Sequence, residues 1–65
     1  MNTEVLKDLR KKNKFSQEEM ARTLNISLRA YQLKEKGEKE FSFSQIIAIA
    51  NKLEIELTDF INRVV

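Results

Sequence analysis

The chain predicts an all-α fold, a compact five-helix bundle, and three observations carry that expectation. Apolar residues recur at helical spacing nearly throughout, and no β alternation is sustained. The 65 residues include no proline and one glycine, so little interrupts the pattern. Two Ser-x-x-Glu/Gln tetrads, SQEE from Ser16 and SFSQ from Ser42, have the form of capping boxes and mark helix starts.

The first helix is expected from about Thr3 to Asn13. Val5, Leu6 and Leu9 form its apolar stripe, and Lys7, Arg10, Lys11 and Lys12 crowd its outer and C-terminal parts, where cations suit the negative end of the helix dipole. The second helix starts at the Ser16 cap, with Phe15, Met20, Ala21 and Leu24 facing the core. LNIS then breaks it. Asn25 takes a left-handed backbone more readily than most residues, and Ser27 is a natural cap for a third helix. That helix runs to Lys36 and stops at Gly37, where a positive φ is wanted.

A fourth helix, about Phe43 to Leu53, is expected to bury Phe43, Ile46, Ile47 and Ala50. A short fifth, roughly Thr58 to Val64, continues an i, i+3, i+4, i+7 pattern through Leu57, Phe60, Ile61 and Val64. The second and third helices are joined by only three or four residues, the spacing of a helix-turn-helix.

Composition narrows the function. One small domain of this length buries about 60% of the surface its unfolded chain exposes. Without cysteine or histidine the usual zinc sites and histidine-based acid/base or nucleophile pairs are ruled out. A bundle this small has little room for a pocket of about 300 Å³ or more, so an enzyme is not expected, nor a cofactor, metal or small-molecule ligand. No apolar run approaches the ~20 residues of a membrane span, and Met-Asn-Thr-Glu does not read as a signal peptide. A cytoplasmic protein is therefore expected.

The net charge of +2 is unevenly placed. Residues 1–36 hold nine Lys/Arg against five Asp/Glu, whereas residues 37–65 hold three against five. The basic half suits either a polyanion or plain solvent.

The third helix bears most directly on this choice. Leu28, Arg29, Gln32, Leu33 and Lys36 share one side, and Ala30, Tyr31 and Lys34 the other. Tyr31, the largest, belongs inward, which turns the mixed face outward. Arg29 matches guanine O6 and N7, Gln32 matches adenine N6 and N7, and Leu28 matches a thymine methyl. Ser27 and the helix N-terminal amides suit phosphate, as do Lys36 and Lys39, with Lys11, Lys12 and Lys14 weaker candidates. Plain solvent exposure of Arg29 and Gln32, and a local contact of Leu28 with the second helix, are the bland alternatives. Leu33 has three readings: a base methyl, a contact with Phe41, or exposure. Ile61, Val64 and Val65 end the chain as an apolar cluster that suits either a dimer contact or a tail packed on its own core.

FSQEEMARTLNISLRAYQLKEKG, continued by FSFSQIIAIANKLEIELTDF, resembles the helix-turn-helix of phage Cro and repressor proteins, the xenobiotic-response-element-like regulators. The resemblance covers nearly the whole chain, and YQLKEKGEKEF is especially similar to Cro-like regulators of Gram-positive phages and mobile elements. It implies a lambda-repressor-like DNA-binding domain, a single unit over residues 1–65, with the recognition helix at about residues 28–36 in the major groove of double-stranded operator DNA. It further implies a phosphate contact at Gln17, a small residue at Ala21 for close helix approach, core positions at Ile26 and Tyr31, and a salt bridge between Arg10 and Glu35, expected to be partly exposed.

Family members usually bind as homodimers and often regulate as repressors. An alternative is an interaction module of the same fold, an antitoxin or adaptor, with Leu28 and Leu33 as apolar anchors. The sequence departs from the family's frequent glycines at Lys14, Asn25 and Glu54, and from a buried apolar residue at Lys34. Lys14 and Glu54 either carry a strained positive φ or sit in turns of a different shape.

Overall fold

Each helix start is built by a side chain that takes up an otherwise unpaired backbone amide. In the computed structural model, which describes all of residues 1–65, five helices and no strands are present. They are α1 Thr3–Lys12, α2 Gln17–Leu24, α3 Leu28–Glu35, α4 Phe43–Lys52 and α5 Leu57–Val64. Asn2, Ser16, Ser27, Ser42 and Glu56 are the caps. Both expected capping boxes close reciprocally, Ser16 with Glu19 and Ser42 with Gln45. The Asn2 and Glu56 caps complete the set, and Asn2 also donates its amide to the Val64 carbonyl, tying the chain start to α5.

The helices stop by one repeated device. Lys14, Asn25, Gly37 and Glu54 all have left-handed backbones, with φ of 60°, 57°, 87° and 57°. After each, the next residue's amide reaches back five positions, from Phe15 to Arg10, Ile26 to Ala21, Glu38 to Leu33 and Ile55 to Ala50. A second bond spans three, from Lys14 to Lys11, Asn25 to Arg22, Gly37 to Lys34 and Glu54 to Asn51. This is the Schellman pairing, which satisfies carbonyls a helix end leaves open. Phe15, Ile26 and Ile55 then fold onto the core, the apolar contact that accompanies the motif. The turns at Lys14 and Glu54 thus have the shape glycine would give them, held by residues with a Cβ.

The core comprises Leu6, Met20, Ala21, Tyr31, Ile49, Ala50, Leu53, Phe60 and Val64. α2 packs on α3 and α4, α1 on α3 and α5, and α4 on α5, giving a body of 27 × 22 × 20 Å. Ala21 is buried between α2 and its neighbours, where a larger side chain would hold them apart.

Three sequence expectations are corrected. Phe43 is 62% exposed rather than buried, and Ile49 and Leu53 fill the core instead. Helical period gives a face, but not how far along the helix its partners reach, and Phe43 is the first residue of α4. Val64 is only 4% exposed, so it is core and unavailable to a partner, while Val65 is 92% exposed. The Arg10–Glu35 pair is buried, with side-chain exposures of 9% and 1%. Lys34 does replace an apolar residue as its stem allows: Nζ donates to the Glu40 carbonyl at 2.7 Å and lies 5.8 Å from the centre of the Phe41 ring.

Candidate nucleic-acid interface

Three residues, Asn25 to Ser27, separate α2 from α3. The left-handed Asn25 turns the chain, Ile26 packs against the core, and the Ser27 Oγ accepts the Ala30 amide at 3.0 Å. α3 is then held from below by Tyr31, which is fully buried and faces Phe41 with ring centres 5.9 Å apart. With Tyr31 inward, Leu28 is left 39% exposed, Arg29 exposed, and Gln32 and Leu33 half-buried.

Beneath this face lies a polar cluster centred on Glu35. Arg10 donates to it twice, Nε to Oε2 at 2.9 Å and Nη2 to Oε1 at 3.0 Å. The Tyr31 hydroxyl donates to Oε2 at 2.5 Å, and Gln17 Nε2 to Oε1 at 3.1 Å. These fill the roughly four acceptor sites of a carboxylate. Arg10 Nη1 also donates to the Phe15 carbonyl at 2.9 Å, fixing the turn before α2. No buried side-chain polar atom is left without a partner, the condition under which an ion pair survives burial.

The protonation states follow from this packing. Burial is the largest single influence on Glu35 and opposes its charge, but the bonds from Arg10, Tyr31 and Gln17 together outweigh it and hold the carboxyl below its ordinary value. The hydrogen bond to Glu35 raises Arg10 above its ordinary value. Burial first, then the bond to Glu35, pushes the Tyr31 phenol well up. The cluster is therefore fixed as guanidinium, carboxylate and neutral phenol.

The remaining sequence candidates fall around this centre. Gln32 Nε2 donates to Gln17 Oε1 at 3.3 Å, so these two side chains touch each other. Arg29 and Lys39 are exposed and make no ion pair or side-chain hydrogen bond within the chain. Lys36 is exposed, with Nζ 3.5 Å from Glu38. Leu28 borders a shallow, open surface depression with Glu18, Ala21, Arg22 and Ile26. Ile61 is half-buried.

Sequence reading missed the Gln17–Gln32 contact and the Tyr31–Glu35 bond. The second had a signal: Tyr31 and Glu35 are four apart, so an inward Tyr31 carries Glu35 inward with it. The first depends on how α2 docks on α3, for which sequence spacing has no signal.

Two short helices joined by a three-residue turn, the second presenting a mixed polar and apolar face over a locked base, define a helix-turn-helix unit. A family model described as helix-turn-helix matches residues 6–60. The chain belongs to the Cro/repressor-type helix-turn-helix family and is a DNA-binding regulator of that class. The family is one of DNA binders and is not typically enzymatic. No curated protein and no solved structure matches the chain. No helix is long and apolar enough to cross a membrane.

Proposed function

We propose that the protein is a Cro-like repressor, of the kind found in phages and mobile elements, that binds operator DNA as a homodimer and reads it with α3. The observation that carries this is the partnerless Arg29 beside Gln32 on a helix face whose foundation, Arg10–Glu35–Tyr31, is buried and fully bonded. A rigid base with a free guanidinium on top suits bidentate base reading, because the side chain gives up no internal bond to reach a guanine.

Leu28 borders the same face and suits a thymine methyl. The amides of Leu28 and Arg29 have no acceptor within the chain, and with Ser27 they suit a phosphate. Lys36 and Lys39 follow α3 and suit the DNA backbone. The α2 start suits phosphate less well, since Glu18 and Glu19 occupy its first turn. One such unit covers about 600–1,000 Å² of DNA-facing protein surface, which favours dimers on half-sites ~34–36 Å apart. Ile61 and Val65 are the accessible part of the C-terminal apolar cluster that suits this contact.

Enrichment of sites from random duplexes, followed by footprinting, tests the proposal. A palindromic site bound as two half-sites is expected. No enrichment, or unchanged binding by the Arg29→Ala, Gln32→Ala double variant, overturns it. The accessible Leu28 and half-buried Leu33 favour one second reading, docking of a partner protein. Salt separates the two, because phosphate contacts weaken steeply with ionic strength and apolar contacts do not.

A further inference from the structure

The junction between α4 and α5, Leu53 to Glu56, is the one interhelix junction with no glycine, asparagine or serine. The others hold Asn13 and Ser16, Asn25 and Ser27, and Gly37 and Ser42. Leu-Glu-Ile-Glu is instead a run that a helix interior accepts. The chain still turns here, through Glu54 at φ 57°, a backbone that a Cβ disfavours. α5 then starts on Glu56, whose Oε1 accepts the Asp59 amide at 3.0 Å, although glutamate is not among the preferred caps. Local preference and observed turn disagree at this one place.

The apolar pattern does not break here either. Ile46, Ala50, Leu53, Leu57, Phe60 and Val64 alternate in steps of four and three straight through the junction. That spacing marks one continuous helix face. Ala50, Leu53, Phe60 and Val64 are buried in the core, and Ile46 and Leu57 pack against it. A helix unbroken from Phe43 to Val64, about 33 Å long, therefore carries the inward residues of both α4 and α5 on one side. In another phase, straightening would set them on different sides and leave one group without cover.

α5 packs on α1 and α4 and makes no contact with α2 or α3. Once the junction is straight, α5 no longer reaches the α1 and α4 of its own chain. Phe60 and Val64 are too large and apolar to stay in water. The surface that matches them is the place vacated by α5 on another copy opened in the same way.

We infer that residues 53–56 form a hinge, and that two copies of the chain exchange α5 by straightening it. Exchange keeps the contacts of α5 with α1 and α4, supplied by the other chain, so the two forms differ at the hinge and in the cost of association. At the hinge, Glu54 leaves its left-handed backbone. The amides of Glu54 and Ile55, bonded to Asn51 and Ala50 in the turn, pass to the carbonyls four residues back. Ile55 gives up its place against the core. The α2–α3 unit is untouched. The inference does not depend on α3 reading DNA, so either can fail without the other, and it gives self-association a route apart from a surface contact through Ile61 and Val65.

The test is to refold the full chain at high concentration and follow its association by sedimentation. A dimer is expected that has more helix than the monomer and that separates slowly on dilution, because α5 has to leave its bed first. In dimers mixed from isotope-labelled and unlabelled copies, nuclear Overhauser contacts are expected between α1 of one copy and α5 of the other. A dimer whose α1–α5 contacts all lie within one chain overturns the inference.

Variants test the hinge separately. Glu54→Gly eases the closed turn and is expected to weaken the dimer about tenfold, since each dimer contains two hinges. Lys14→Gly relieves the same strain elsewhere and should leave dimerisation unchanged. Ile55→Ala removes a contact that only the closed form makes, and is expected to strengthen the dimer about tenfold. Val65→Lys, on the exposed surface, should leave it intact. Equal effects of Glu54→Gly and Lys14→Gly, or loss of the dimer in Val65→Lys, overturn the hinge. So does a chain that stays monomeric at every concentration both as wild type and as Ile55→Ala.

Discussion

Arg10 and Glu35, 25 residues apart in sequence, close on each other through two parallel hydrogen bonds of 2.9 and 3.0 Å. The pair joins α1 to the last residue of α3. Glu35 thus sits at the negative end of its helix, a place that disfavours a carboxylate. Arg10 offsets both that field and the loss of water, so the two side chains form a mechanical strut that needs both members.

Removing one member should therefore cost far more than removing both. Arg10→Met leaves a buried carboxylate facing a helix C-terminus, and a loss of about 3–5 kcal/mol is expected. A chain of this length has only about 3–10 kcal/mol in hand, so the variant should be largely unfolded at modest urea concentrations. Adding Glu35→Leu should recover most of the loss, because no unpaired charge remains. Urea midpoints of wild type, single and double variants check this, and a double variant as weak as Arg10→Met contradicts it.

The same cluster sets the pH range of stability. The folded Glu35 carboxyl titrates below its unfolded value of about 4.3, so its contribution is complete above that pH and disappears as pH falls through the folded value. The Tyr31 phenol titrates above its unfolded value of about 10, so its contribution is complete below pH 10 and declines as pH rises beyond it. With no histidine to titrate between, these groups give a flat profile from about pH 5 to 9. Urea midpoints across pH should show both limbs. Tyr31→Phe should lower the plateau by about 1.5–3 kcal/mol, the worth of a hydrogen bond to a charged group, and flatten the alkaline limb.

Lys14 and Glu54 hold left-handed turns at φ 60° and 57°, each at a cost of about 1–2 kcal/mol that glycine avoids. Part of the gain on substitution returns as unfolded-chain entropy, so Lys14→Gly and Glu54→Gly should each stabilise by about 0.5–1 kcal/mol. Thermal midpoints should rise by a few degrees. Gly37→Ala should do the reverse. A Cβ there meets only Thr3 Oγ1 at 3.9 Å, so the loss comes from φ 87° and not from crowding.

What the sequence revealed and what it hid follow the range of the forces involved. Ser16, Ser27 and Ser42 were legible as caps because a cap is settled within four residues. Tyr31 oriented α3 because one large side chain dominates the burial of a short helix. Phe43 misled because period does not register where a helix outruns its neighbours. The Arg10–Glu35 pair was legible through family resemblance, but its burial was not, since that depends on α1 and α3 closing over it. Gln17 to Gln32 was hidden altogether, being set by a docking angle between two helices.

Base and phosphate contacts should separate by substitution. Arg29 has no internal partner, so Arg29→Ala should leave stability unchanged and cost about 1–3 kcal/mol of discrimination at a single guanine. Lys39→Ala should weaken all duplexes alike and reduce the salt slope by about one. Lys36→Ala should do less, because Lys36 shares its charge with Glu38 at 3.5 Å. Binding measured at several salt concentrations, on the enriched duplex and on its single-base variants, resolves the three.

Leu28 is an apolar side chain left 39% exposed at the start of α3, beside Ala21 and Ile26 along an open concavity. If it packs on a thymine methyl, then deleting either member of the contact removes the same energy. Uracil in place of thymine deletes the methyl without touching the base-pairing edge, and Leu28→Ala deletes the side chain. Each change alone should weaken binding by about 1 kcal/mol, on the scale of a buried methyl group. The two together should weaken it no further than one. Additive losses would place Leu28 and the methyl in separate contacts. A Leu28→Ala variant that binds DNA normally would remove Leu28 from the DNA face and direct attention to a protein partner.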